Sequence, residues 1–150
     1  MDFWDTIADD ACRESMLWQA ALRPGPAREH VAGFSTLCDE RFALGLETIY
    51  EGYLCHYGRP RLFAPGDAEL ALLLGDYLYA HGLVRIAATG NVSAVAELAE
   101  LISLCSRLRA EDEDGDAEAW LAAAAALSAR PADESVADAA LAAHRARLPR

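Results

Sequence analysis

The chain has 150 residues, 53% of them hydrophobic and 25% charged, a composition that suits one globular domain and excludes a disordered segment. Its 24 acidic residues face 13 arginines and no lysine, giving a net charge of −11 that repels nucleic acid and anionic membranes. Without lysine there is no Walker-type phosphate lysine, no Schiff-base lysine and no lysine general base.

Alanine and leucine dominate and no alternating polar–apolar stretch persists, so the pattern predicts an all-α bundle of about six helices in a single domain, 1–150. The first helix is expected from about Phe3 to Leu22, ended by the two prolines of "RPGPA". Its acidic opening, "MDFWDTIADD", lacks the basic-then-apolar order of a signal peptide, and a cytoplasmic protein is expected. The second helix is expected over about Ala27–Tyr57, with Val31, Phe34, Cys38, Leu46, Ile49, Tyr53 and Leu54 apolar and possible breaks at Gly33 and Gly45. The third starts near Asp67 and runs to "TGN", where Gly90 suits the C-terminal cap. Asn91 or Ser93 caps a fourth helix, which carries Val92, Val95, Ala99 and Ile102 at helical spacing. The acidic link "AEDEDGD" leads to a fifth over about Ala117–Ala129; Pro131 ends it, and "ADESVADAALAAHRARL" forms a weaker last one. The longest uninterrupted apolar runs, "LALLL" and "WLAAAAAL", fall short of the roughly 18–20 residues of a membrane span, so none is expected.

Few residues offer chemistry. The acidic run Glu111–Asp114 with Asp116 fails the EF-hand spacing: setting Gly115 sixth places Ala110 first and Leu121 twelfth, where oxygen ligands belong. A solvated acidic turn accounts for it. No histidine has a glutamate three residues before it, as a di-iron bundle requires, and HExxH, GxSxG and glycine-rich phosphate loops are missing. Cys12, Cys38, Cys55 and Cys105 form no CxxC and read as small buried hydrophobes. Glu47 and Glu51, one helical turn apart, are a candidate carboxylate pair or a plain exposed or salt-bridged face. No catalytic residue, metal site or cofactor is expected.

"ETIYEGYLCHY", with Glu47, Ile49, Leu54 and His56, is followed by "GRPRLFA" and "ELALLLGDYLYAHGL". Together these resemble the middle of the trans-isoprenyl (polyprenyl) diphosphate synthases. There a helix carrying a DDxxD motif is followed by an arginine pair, a "GxPT.HA"-like turn and a helix with "AGDYLLA". The resemblance covers about residues 45–128; it is specific from "GRP" through "GDYLYA" and only rhythmic beyond. The departures are as informative as the matches. Tyr57 and Gly58 follow His56 where the family places its aspartates, alanines replace its lysine–threonine pair, and the chain ends before the second aspartate-rich motif. Those synthases ionise an allylic diphosphate on Mg²⁺ held by both aspartate clusters. The resemblance therefore implies a non-catalytic, partial isoprenoid-synthase-like fold.

Within "ELALLLGDYLYAHGL", Leu72, Gly75, Tyr79, Gly82 and Ile86 recur at three- and four-residue spacing, so both glycines share one face suited to close helix packing. The resemblance places that helix in the bundle core near the subunit interface, which makes Gly75, Asp76, Tyr79 and Gly82 candidate packing or interface residues and Asp76 a hydrogen-bonded structural acid. His56, Arg59 and Arg61 are candidate ligand or partner contacts, with the two arginines expected as solvated groups on an exposed turn. The expected function is that of an accessory subunit in a hetero-oligomer with a catalytic prenyl synthase. Two alternatives stand beside it: a helical isoprenoid- or lipid-binding protein with Tyr50, Tyr53, Tyr57, Tyr77 and Tyr79 around a cavity, and a structural α-helical homo-oligomer.

Overall fold

The computed structural model describes residues 2–149. It is all-helical: α1 (Phe3–Glu14), α2 (Met16–Ala21), α3 (Glu40–Tyr57), α4 (Ala68–Ala87), α5 (Val92–Ala110), α6 (Asp116–Ala126) and α7 (Glu134–Arg147). Two short 3₁₀ turns, Gly25–Ala27 and Ser35–Leu37, lie between α2 and α3. Where helices begin, short polar side chains satisfy the free backbone N–H groups: Asp2, Asp67, Asn91 and Asp133 each accept from the first turn of α1, α4, α5 and α7. Gly90, at φ +80°, closes the α4 end through its N–H to Ala87.

Two expected helices are shorter than their apolar patterns suggested. The first is divided at Ser15, whose extended backbone ends α1 on Ala11 while its hydroxyl accepts from Leu17 to start α2. The second does not begin near Ala27. Residues 28–39 form a loop interrupted by one 3₁₀ turn, and the helix starts at Glu40. Of the expected apolar positions in this stretch, Cys38 is half-buried and Val31 is 49% exposed, while Phe34 is buried, but from a loop. Gly33 shows why: an added Cβ there would lie 2.5 Å from the Tyr50 ring, so the loop backbone sits directly on α3.

α3 is the central helix. Twelve of its eighteen residues are buried, including the unbroken run Gly45–Cys55, so every face of it is covered. α4 runs antiparallel along it. On the other sides, Phe34, Tyr50, Tyr53, Leu98, Leu101, Trp120 and Ala140 join α3 to α5, α6 and α7, while Trp4, Ile7, Trp18, Leu62, Phe63, Leu74 and Leu78 join α1 and α2 to α4. By length and apolar composition alone α4 is sufficient to cross a membrane, a property its broken apolar runs did not reveal, and a third of the qualifying window is buried inside the bundle.

Candidate functional site

The α3–α4 seam is built from four glycines. A Cβ on Gly52 would lie 2.8 Å from the Gly75 carbonyl and one on Gly75 2.9 Å from the Gly52 carbonyl; Gly45 and Gly82 repeat the relation at 3.3 and 3.1 Å. The pairs are seven residues apart on each helix, two turns, and run in opposite order, so the two backbones touch twice along one antiparallel contact. Tyr79 is buried between the contacts with its ring edge-on to His56 at 5.0 Å, and burial raises its phenol pKa far above the ordinary value. Ile86 is buried on the same face, but Leu72 is 52% exposed, because it lies level with the end of α3.

Asp76 is not an interior acid. Its side chain is 68% exposed and meets His56 Nε2 at 3.2 Å. His56 is largely covered, and Nε2 also lies 3.1 Å from the Leu72 carbonyl. Arg59 stays at the surface, donating to Glu29 at 3.0 Å, while its backbone N–H donates to Arg147 at the end of α7.

Arg61 corrects the sequence reading most sharply. It is 0% exposed, not solvated on a turn. Its Nε donates to Glu51 at 3.0 Å and its Nη1 to Glu47 and, at 2.8 Å, to the Val31 carbonyl; Nη2 donates to the Glu47 carbonyl at 3.2 Å. The guanidinium carbon lies 4.6 Å from the Trp4 ring and 5.0 Å from the Tyr50 ring. Glu47 also accepts from Gly33 and Ser35, and Glu51 from the Arg61 and Leu62 N–H groups. Burial opposes the charge on Arg61, but the two carboxylates outweigh it and hold its pKa above the ordinary arginine value. Glu47 and Glu51 are therefore a buried salt-bridged pair, not an exposed face. The cluster pins the 31–35 and 61–62 loops to α3, uses four of the five guanidinium N–H groups internally and is closed to solvent.

The five tyrosines are divided between the two halves of the core. Tyr50 and Tyr53 stack on each other at 6.1 Å and meet Trp120 edge-on, Tyr57 lies against Tyr53, Tyr77 stacks on Trp18, and Tyr79 faces His56. All four cysteines are free; burial pushes the Cys38 and Cys105 thiols up to about 12. Among the described residues no three His, Cys, Asp or Glu side chains converge as a metal site requires.

Sequence reasoning missed a second polar cluster. Asp116, read as part of a solvated turn, is buried at the first position of α6. Its Oδ2 accepts from Arg109 Nε at 2.7 Å and from the Tyr53 hydroxyl, to which Arg109 Nη2 also donates at 2.8 Å. Next to it, His144 of α7 is 1% exposed and bonded through Nδ1 to the Tyr50 hydroxyl at 2.8 Å. Burial lowers its pKa to about 4 against the opposing pull of Asp116, so the ring is neutral at pH 7. The seven-residue interval from Arg109 to Asp116 was the available signal, but it spans the acidic turn, and the turn's composition does not say that its last carboxylate folds back onto α5.

One surface stands out beyond these clusters. Opposite its glycine face, α4 presents Leu73 and Val84, 57% and 65% exposed, three turns apart on one side of the helix, with exposed Ala80 and Ala87 between and beyond them. Comparison of the chain with protein-family models, with curated proteins and with solved structures gives no match.

Proposed function

We propose that this chain works by association, as a non-catalytic accessory subunit resembling part of a polyprenyl diphosphate synthase and binding a catalytic synthase subunit. The observation that carries the reading is the two-sidedness of α4. Its inner face is committed to α3 through Gly75 and Gly82, while its outer face leaves Leu73 and Val84 uncovered. Large apolar side chains left in water along one side of a helix are what a protein partner would cover. The stretch that forms α4 is also the one whose sequence resembles the synthases most specifically, and the resemblance places that helix near their subunit interface.

The test is size-exclusion chromatography with light scattering on the chain mixed with a full-length prenyl diphosphate synthase of the source organism, followed by product analysis. A joint peak and an altered product chain length are expected, with both lost in the double variant Leu73→Asp, Val84→Asp while helix content is kept. Release of diphosphate by this chain alone from an allylic diphosphate and Mg²⁺ contradicts the proposal. A peak containing only copies of this chain replaces it with the homo-oligomer.

A further inference from the structure

The second polar cluster lies under an open cleft of about 420 Å³ between the α5–α6 turn, the start of α6 and the end of α7. Three features separate it from an ordinary acidic surface. First, Asp116 Oδ1 and His144 Nε2 have no hydrogen-bond partner among the described residues, although both atoms are buried. Both residues line the cleft, and the two side chains are more than nine-tenths buried. Leaving a buried polar atom unpaired costs on the order of 1–3 kcal/mol, so two in one place call for a common explanation. Second, the chemistry of each atom is fixed by its other half. Asp116 Oδ2 is taken by Arg109 and Tyr53, which leaves Oδ1 as a carboxylate acceptor. The buried Tyr50 hydroxyl has His144 Nδ1 as its one partner among the described residues; for the phenol to be satisfied it must donate there, which assigns the ring proton to Nε2 and makes that atom a neutral donor. Third, the lining is negative on balance: the Asp112–Asp114 turn, Asp116 and Glu118 outnumber Arg109 and Arg145, and Arg109 is already spent on Asp116. Glu113 is partly answered by Arg107 at 3.8 Å.

These features decide between ligand classes. An inorganic anion would satisfy the His144 donor but meet the surrounding carboxylates. A divalent cation would need an imidazole lone pair, which the Tyr50 bond places on the wrong nitrogen. A small organic ammonium with a hydroxyl on the neighbouring carbon satisfies both atoms: the ammonium donates to Asp116 Oδ1 and the hydroxyl accepts from His144 Nε2. Each target atom exposes less than 1 Å². Contact therefore requires a compact head group and a side-chain adjustment in the lining, to which exposed Arg145 and half-buried Leu148 belong.

We infer that the α5–α6–α7 cleft is a binding site for a small amino alcohol, recognised by Asp116 and His144. It is independent of α4 and of any partner docked there. Ethanolamine titrated into ¹⁵N-labelled full chain is the test, with two-dimensional amide spectra and a long-range spectrum of the His144 ring. Expected are saturable shifts at residues 116–118 and 143–145 and a change at His144 Nε2, with affinity at least about tenfold weaker in Asp116→Asn. Because Asp116 also holds Arg109 and Tyr53, Asp114→Asn, an exposed residue of the lining, serves as the second variant, with binding weakened about two- to threefold and the spectrum otherwise unchanged. Three results overturn the inference: no ligand-dependent shift up to about 50 mM, meaning that the two atoms are met by water alone; the same shifts with sodium phosphate; or shifts spread equally over unrelated acidic residues such as Glu97 and Glu100.

Discussion

Arg61 and Arg59, two residues apart in "GRPR", have opposite fates. Arg59 makes an exposed ion pair, worth about 0–1 kcal/mol, whereas Arg61 is enclosed with two carboxylates and two aromatic rings. Arg61→Ala leaves Glu47 and Glu51 buried without their cation, and urea unfolding is expected to show a loss of roughly 3–5 kcal/mol; Arg59→Ala is expected to lose less than about 1 kcal/mol. If both variants unfold at the wild-type midpoint, the buried cluster is not what anchors the loops. His144 gives the pH dependence. Its folded pKa, about 4, lies below the ordinary 6.5, so between those values the unfolded chain binds more protons and stability falls as pH falls. At about 1.4 kcal/mol per unit, the loss approaches roughly 3 kcal/mol by pH 4. His81, also lowered by burial, adds in the same direction. Asp10 and Glu29, held below their ordinary values, contribute stability that is lost only lower on the scale. Denaturant midpoints measured from pH 7 to 5 should therefore fall for the wild type and fall less for His144→Gln.

For helices, the glycine seam sets propensity against packing. Gly82→Ala gains about 1 kcal/mol of intrinsic helix preference, yet its methyl would lie 2.4 Å from Ile49 Cγ1 and 3.1 Å from the Gly45 carbonyl. Overpacking against backbone wins, and thermal melts should show a net loss of about 1–3 kcal/mol. Gly66→Ala is the control: nothing lies within 4 Å and the backbone is not at positive φ, so it should be neutral or stabilising by up to about 1 kcal/mol. The three- and four-residue spacing of Gly75 and Gly82 made their shared face legible in advance. What faced them was not legible, because the partner glycines, Gly45 and Gly52, belong to a helix buried on every face, Glu47 and Glu51 included, so its polar residues do not mark an outer side. The loop at 28–39 was misread for a related reason. Val31, Phe34 and Cys38 are spaced as on a helix, but Phe34 is buried from a loop, which leaves the same mark in the sequence as burial from a helix, and Val31 is exposed.

Across the whole molecule, the two halves of the core share α3 and α4. Trp4 and Trp18 lie in one half and Trp120 in the other, while Tyr79 and Ile86 of α4 belong to the half opposite Leu74 and Leu78. No boundary falls between the halves without breaking a helix, so they should unfold together. Fluorescence of Trp120 alone (Trp4→Phe, Trp18→Phe) and of the other two (Trp120→Phe) is expected to follow one denaturant midpoint, coincident with circular dichroism within each variant. Separate midpoints for the two probes would divide the chain into two units.

The sequence by itself determined the all-α class, the start of α4 near Asp67, a cap for α5 at Asn91 or Ser93, the Gly90 stop and the small-residue face of α4, because each depends on neighbours within a few positions; the structure chose Asn91. Only the tertiary structure decided which charges are interior. Arg61 meets Glu47 and Glu51, and Asp116 meets Tyr53 and Arg109, across loops and turns, and a buried ion pair carries the same letters as a solvated one. Whether a charge stays in water or is desolvated depends on what the rest of the chain brings within a few ångströms of it, and for this protein that is where its candidate binding chemistry lies.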